Sequence, residues 1–530
     1  RLTYDDLFVQ ASINHDNTSG SYFLPTGAPI VDRSTTYTAQ IQHHWDPVSK
    51  EKLTYGADYE SIRPITDSTL YGPDDGHANV SILGAYLQSE TSLLDNDLDL
   101  VLAGRLDKHS ALTNPIFSPR AALVYHLDQD NSLRAMYNVT YLFPSITDLF
   151  ADLLYADEAP YSVRYVSPYV SGYSFTPNAD GSYNMNTPLP AFDSMPQIPS
   201  TMTTTQAQAK LWPVVMDLAA KAANQPLLKV IPAPTQNVSY LAYANVGSNA
   251  GSEPFIPIPN GVPQSISPVQ PQHQVSYELD YQGALSKSFQ LEVDAYETHY
   301  SVIHASTVAL TPVVVFDSAK LQQYFVSEFG NAIPQSSIDS LAGELSHAPL
   351  GVVQANGGAQ NESYPDDILV GTRSYLQNTI TFYGVDLFGT YKANKDWSFD
   401  GSFSYLNKNY WYAAELNPQD STIQAPFALN LPKYRFSLGA KYSGLARGLS
   451  LELRDRWSDA FQMVDNYWIG NVGAWNVLDL TVNYNIESWN NLLLTLSITN
   501  VLDNVHEEFV GAPYIGRLTM LRASYALPAL

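Results

Sequence analysis

Apolar residues recur at every second position through much of this chain, and that period constrains the fold more than any other feature. Successive side chains of a strand point to opposite faces, so such alternation gives each strand one apolar and one polar face. Leu98, Leu100, Leu102 and Leu106 share one side of their segment, while Asp99, Arg105 and Asp107 share the other. Leu133, Ala135, Tyr137 and Val139 alternate with Arg134, Met136 and Asn138. Val275, Tyr277, Leu279 and Tyr281 alternate with Ser276, Glu278, Asp280 and Gln282, and the same holds over 289–295, 397–405, 434–442, 449–453 and 478–484. A soluble sandwich alternates too. Tyr and Trp at both ends of the apolar face, however, mark strands that cross a bilayer between two aromatic girdles.

The connections carry the second half of this reading. Short polar turns join Leu94 to Leu98, Leu127 to Leu133, Tyr391 to Trp397 and Ile486 to Leu492. Between them lie long stretches near 16–35, 63–78, 144–271, 304–373, 407–430 and 458–473. Short and long connections taking turns is the asymmetry of a barrel whose turns face the periplasm and whose loops face outside. The expected fold is all-β, a transmembrane antiparallel β-barrel with about sixteen strands in this chain. The opening LTYDDLFVQASIN reads as its first strand, rising toward the long loops. Insertions as long as 144–271 and 304–373 are expected to carry structure of their own. Residues 203–223 predict a helix interrupted near Pro213, and 317–328 and 336–345 predict two shorter ones. The Pro-rich stretch from Glu253 predicts extended chain.

Composition narrows the function classes. The chain is 45% hydrophobic and only 15% charged, which suits a barrel with an apolar outside better than a soluble enzyme. A net charge of −25 opposes the cationic surface that nucleic acid requires. With no Cys there is no disulfide, thiolate metal site or thiol nucleophile. No run of about eighteen apolar residues predicts a spanning helix. The opening at Arg1 carries no basic and apolar leader, so the true start is expected upstream. No GxSxG elbow, HExxH helix or Gly-rich phosphate loop occurs, and the expectation is a protein that is not an enzyme. The carboxylate pairs Asp74–Asp75, Asp366–Asp367 and Glu507–Glu508 are oxygen ligands of the type calcium takes in loops. The spaced carboxylates of a dedicated calcium loop are absent, so solvated pairs are the plainer reading and no cofactor or metal is expected. His43 and His44 point to opposite faces of a strand and make a poor metal pair.

Two sets of residues are candidates for binding. Tyr155, Tyr161, Tyr165, Tyr169 and Tyr173 recur beside Arg164 in the largest loop. Tyrosine offers a wide contact surface and a hydroxyl at little entropic cost, as binding loops require. Packing of loop on loop is the alternative. On the polar faces, Arg105, Arg134, Glu278, Asp280, Glu292, Asp294, Arg435, Glu452, Arg454 and Arg456 need partners in a confined lumen, where a water-filled pore would use them for ion selectivity.

Several stretches taken in order resemble one family. FSPRAALVYHLDQDNSLRAMYN from Phe117, PSITDLF from Pro144 and SITNVLDNVHEEFVGAPYIGRLTMLRASYAL from Ser497 are similar to hairpins of the TonB-dependent outer-membrane receptors. GAYLQSETSL from Gly84, LVLAGRLDKHS from Leu100 and YGVDLFGTY from Tyr383 match the same family's habits. The family's barrels end on an aromatic residue, whereas here Tyr525 is followed by further chain. The resemblance implies a bacterial outer-membrane barrel of about 22 strands with an N-terminal plug, of which the plug and first strands lie outside this chain. The first strand is then not expected to pair with the last. The resemblance also implies lipid and lipopolysaccharide around the barrel, lumen charges facing the plug, and an inner-membrane TonB complex that energises uptake of a scarce solute such as a metal chelate, cobalamin, glycan or peptide. A passive porin and a surface adhesin stay open beside that importer.

Overall fold

The computed structural model describes residues 1–18, 20–23, 26–158, 161–167, 172–189, 201–246, 254–330, 332–356, 364–375, 378–418, 426–465, 469–489 and 492–525. One antiparallel wall runs through them. Its strands are β1 (Leu2–Tyr4), β2 (Leu7–His15), β3 (Thr35–Val48), β4 (Glu51–Arg63), β5 (Val80–Leu93), β6 (Leu98–His109), β7 (Ile116–His126), β8 (Asn131–Leu142) and β9 (Gln272–Ser286). They continue as β10 (Phe289–Ala309), β11 (Ile380–Lys392), β12 (Trp397–Leu406), β13 (Tyr434–Ala446), β14 (Leu449–Ser458), β15 (Trp475–Ile486), β16 (Leu492–Thr499) and β17 (Leu518–Ser524). Each pairs with the next in chain order. No helix among the described residues is long and apolar enough to cross a membrane.

The turns at one end are tight because side chains close them. Asn394 Oδ1 accepts from the amides of Asp396 and Trp397 at 2.8 and 2.9 Å, and Asp128 Oδ1 accepts from Asp130 N at 2.8 Å. The first segment departs from the sequence reading. LTYDDLFVQASIN is not one strand but folds at Asp5 and Asp6 into a hairpin pairing Leu2 with Val9. Asp5 sits at φ 51°, a left-handed conformation that Asp tolerates better than most residues, so the two adjacent aspartates make a turn. No ladder joins β1 or β2 to β17 among the described residues. Leu527, the expected end of the last strand, lies outside them.

The sidedness is the inverse of a soluble core. Leu83, Leu102, Leu279 and Leu438 stand about half exposed on the outer face, at 56%, 48%, 57% and 57%. Asp107, Ser276, Asp280 and Thr298 are buried on the other. That is the arrangement hydrocarbon outside and a polar lumen inside require. Aromatic pairs bracket the apolar band. Trp397 packs on Tyr442 with centroids 4.6 Å apart at the short-turn end, and Tyr405 packs on Tyr434 at 5.2 Å at the long-loop end. At ~3.4 Å per residue, Trp397 and Tyr405 stand about 27 Å apart along β12.

The two long insertions fold together. Strand β10 pairs with β11 only as far as Tyr300, then continues as a stalk that pairs with Ile368–Tyr375. Asp152–Glu158 and Tyr161–Val166 complete this neck, the latter running parallel to Ile368–Tyr375. Beyond it a six-stranded sheet takes Thr201–Thr203, Asn184–Asn186, Ser239–Ala244 and Phe255–Pro257 from the first insertion and Pro312–Phe316 and Gly351–Val353 from the second. Pro312–Phe316 is buried throughout because it is covered on both sides. Neck residues Tyr161 and Ile368 pack on one face with Val313 and Val315. The other face meets a helical layer built from α2 (Thr204–Ala222), α3 (Ser318–Phe329) and α4 (Gln335–Ser346), with the five-residue α1 (Ile146–Phe150) lying before the neck. Trp212 anchors that layer, 2% exposed, against Phe316 and Phe325 with centroids 5.8 and 6.1 Å away, and its Nε1 donates to Ile231 O at 3.0 Å. Proline does not interrupt α2 as its sequence suggests, for Pro213 lies inside a continuous helix. Its exposed ring leaves Ala209, whose carbonyl loses its donor, on the solvent side.

Candidate functional site

The lumen face of the wall is a field of cross-strand ion pairs. Arg105 reaches over the intervening strand to Asp58, with Nη1 and Nη2 at 2.6 and 2.8 Å from its two oxygens, and its Nε donates to Asp107 at 2.9 Å. Arg454 repeats the device, donating to both oxygens of Asp400 at 2.7 and 3.0 Å and to Glu452 at 3.2 Å. A glycine makes each crossing possible. Gly84 stands between Asp58 and Asp107 in the register, and Gly439 between Asp400 and Arg454. A Cβ on Gly439 would lie 2.9 Å from Arg454 Nη2 and 2.5 Å from Asp400 Oδ1, so only glycine leaves the bidentate pair its path.

A second row follows the register across the wall, from near a short turn at Arg134 to the long-loop end at Arg435. Arg134 pairs with Asp280, and register then sets Asp294, Asp386, Ser404 and Arg435 side by side on β10 to β13. Three aspartates thus lie between two arginines. Arg435 Nε donates to Ser404 Oγ at 3.1 Å. Glu278 and Glu292 flank the row on the same face, two residues before Asp280 and Asp294. Arg456 holds Asp479 at 2.9 Å, and its guanidinium lies 5.9 Å from the ring of Trp475, which stacks on His506 at 4.8 Å. Glu292, Asp294, Asp386, Arg435, Arg456 and Trp475 line one recess of about 570 Å³ toward the long-loop end. All ten charged residues singled out in the sequence share this face.

The loop tyrosines are placed differently. Tyr161, Tyr165 and Tyr173 are 3%, 4% and 2% exposed, and their hydroxyls are engaged within the protein. Tyr161 donates to Pro349 O at 2.8 Å, Tyr173 donates to Ser167 O at 3.2 Å, and Tyr165 meets Thr372 Oγ1 at 2.7 Å. Burial raises the phenols of Tyr161 and Tyr173 above the ordinary range. Tyr155 sits half-buried at a bulge in the neck and packs on Phe23 from the first loop, 6.0 Å away. Tyr169 lies outside the described residues. Arg164 is the centre of the neck. Its Nη1 donates to Asp152 at 2.9 Å, its Nε to Asp367 at 3.2 Å, and its guanidinium lies 3.6 Å from the ring of Tyr364. One cation thereby ties the start of the first insertion to the end of the second. Burial pushes Asp152 upward despite Arg164, with Asp74 and Asp367 adding to the shift, and burial with Asp367 beside it raises Asp366. No group of three or more His, Asp or Glu side chains among the described residues is arranged to hold a metal ion.

Sequence reading named Asp280 and Glu452 beside their arginines but paired no arginine with its partner. Asp58, Asp107, Asp400 and Asp479 lie on polar faces that period two would have exposed, but which arginine each meets depends on register. Tyr364 could not be found from any local signal, since it reaches Arg164 across the fold.

A wall of antiparallel strands with an apolar outside and a charge-lined inside defines an outer-membrane-type β-barrel. Residues 1–194 match the family described as TonB dependent receptor-like, beta-barrel. No curated protein matches the chain. A point variant of the ferric enterobactin receptor PfeA from Pseudomonas aeruginosa superposes with a TM-score of 0.52 at 10% identity, over 98% of this chain and 58% of that one. A second PfeA variant, in complex with enterobactin, gives 0.51 at 10% identity over 98% and 59%. The FrpB iron transporter from Neisseria meningitidis gives 0.49 at 10% identity over 94% and 56%. The motif resemblance is thus matched by a family signature over residues 1–194 and by a shared barrel fold, and the chain spans less than two thirds of the length of each of those receptors.

Proposed function

We propose that this chain is the barrel part of an outer-membrane importer that binds a scarce, bulky solute at its outer loops and admits it past a plug. The observation that carries this reading is the wall itself, charge-lined within and, among the described residues, with no ladder joining its first strands to its last. Unpaired backbone groups facing lipid cost several kcal/mol each, so the edges left at β1, at β2 beyond Val9 and at β17 among the described residues call for further strands, as a wide plugged barrel has and a closed sixteen-strand porin does not. The row from Arg134 to Arg435 supplies a polar surface for a plug to seat against. An inner-membrane TonB complex, acting through that plug, would provide the energy, and lipid with lipopolysaccharide would surround the outer face.

Uptake in cells tests the proposal. Ferric chelates, cobalamin, oligosaccharides and peptides are supplied as limiting nutrients with the gene intact or disrupted, and with the TonB complex intact or disrupted. Uptake of one solute that needs both genes, and that a protonophore stops, is expected. Uptake that persists without the TonB complex, or steady ion conductance in planar bilayers, would place the protein with the porins.

A further inference from the structure

The folded insertions enclose a cleft of about 900 Å³ that no wall strand lines. It lies between the first turns of α2 and α3, residues 234–241 and the turn after Pro257. We propose that it docks a neutral oligosaccharide. The inference deepens the importer reading by naming a class of solute met at the outer loops, and rests on that reading only for the cleft's outward position.

Its construction argues for a ligand of this kind. Gln208, buried on α2, donates through Nε2 to Pro234 O and Gln236 O, both at 2.9 Å, and accepts through Oε1 from Val238 N at 2.8 Å. That brace fixes the backbone of the segment and turns Thr235 and Gln236 outward into exposed positions. The side chains of Thr235, Gln236, Tyr240 and Ser318 have no hydrogen-bond partner among the described residues, so their donors and acceptors are available. Half-buried Tyr240 lines the cleft from the sheet face it shares with Val315, and Leu241, Pro257 and Ile258 add an apolar platform to the same lining. Sugar rings present flat C–H faces to such a platform and hydroxyls around their edge.

Charge excludes the other classes. Among the described residues no Lys, Arg or His lines the cleft, so an anionic solute would find no countercharge there. Asp317, the one carboxylate among the described lining residues, caps α3 by accepting from Lys320 N at 3.1 Å and faces Lys320 Nζ at 3.4 Å, which leaves no ligand set for a metal ion. A wholly apolar ligand would strip water from the four unpaired side chains without replacing their hydrogen bonds, at about 1–3 kcal/mol each.

The full chain in detergent is screened on a glycan array and then titrated calorimetrically with maltotriose, cellotriose and triacetylchitotriose. A glucuronate-bearing trisaccharide and a proline-rich peptide serve as comparisons. Binding of at least one neutral trisaccharide is expected, weakened tenfold or more by Tyr240→Ala and by Gln236→Ala with the melting temperature unchanged. Tyr240→Phe, which keeps the ring, should lose less. Absence of neutral saccharides from the array hits, preference for the acidic sugar or the peptide, or full affinity in Tyr240→Ala would each overturn the proposal. Failure of TonB-dependent uptake appears in the nutrient assay and leaves these titrations untouched, so the two readings fail separately.

Discussion

At the scale of single residues, the wall depends on what glycine omits. Arg454 spans the intervening strand only because Gly439 has no side chain, and a branched residue there must displace either the guanidinium or Asp400. Gly439→Val is expected to cost about 1–3 kcal/mol, read as a lower temperature at which the folded barrel loses its compact mobility on a gel. Gly389→Ala, whose added carbon meets nothing closer than 3.5 Å, should leave that temperature nearly unchanged. Arg164 is the opposite case, since it is the counter-ion of an Asp152 side chain only 1% exposed. Arg164→Ala leaves that carboxylate buried alone and should destabilise the neck by about 3–5 kcal/mol, seen as faster proteolysis of the insertions. Asp152→Asn in the same chain should restore part of the loss. The arginines were legible in the sequence as members of polar faces. Their glycines were not, because a crossing of strands leaves no trace in local spacing.

At the scale of elements, helix α2 sets tertiary packing against local propensity. Pro213 removes one backbone hydrogen bond, yet Leu211, Trp212, Val214, Val215 and Met216 around it are buried, and their packing holds the helix through the break. Pro213→Ala should therefore stabilise α2 by up to about 3 kcal/mol, measured as slower amide exchange along the helix. The neck carries its own pH dependence. Asp152 and Asp366 have folded pKa values raised mainly by burial, so protonation favours the folded form. Their contribution is fully present below the ordinary carboxylate range near 4 and is lost as pH rises through the higher folded values. Protection of the neck against proteases should therefore increase between neutral and mildly acidic pH, and Asp366→Asn should flatten that rise. The helices themselves were legible in the sequence. The continuity of α2 was not, because it is decided by a core assembled from both insertions.

At the scale of the molecule, the unpaired edges decide what the wall can be. The chain has no Cys, so paired substitutions give a clean test. Ala135→Cys with Leu279→Cys, directly opposite on β8 and β9, should cross-link in membranes. Ile13→Cys with Leu521→Cys, both on the outer face of β2 and β17, should not, and an efficient bond between them would mean that the wall closes on itself. The alternating faces, the short and long connections and the ordered hairpin motifs made the barrel readable, because each is a local consequence of a strand lying between hydrocarbon and water.

Alternation thus determined that this chain builds a barrel wall, and determined which side chains face its interior, since period two assigns a face without knowledge of any partner. Register, the co-folding of two insertions separated by strands β9 and β10, and the cleft they share belong to the tertiary structure alone. They depend on contacts between residues distant in sequence, and pairs such as Arg164–Asp367 or Trp212–Phe316 carry no signal until the chain has brought them together.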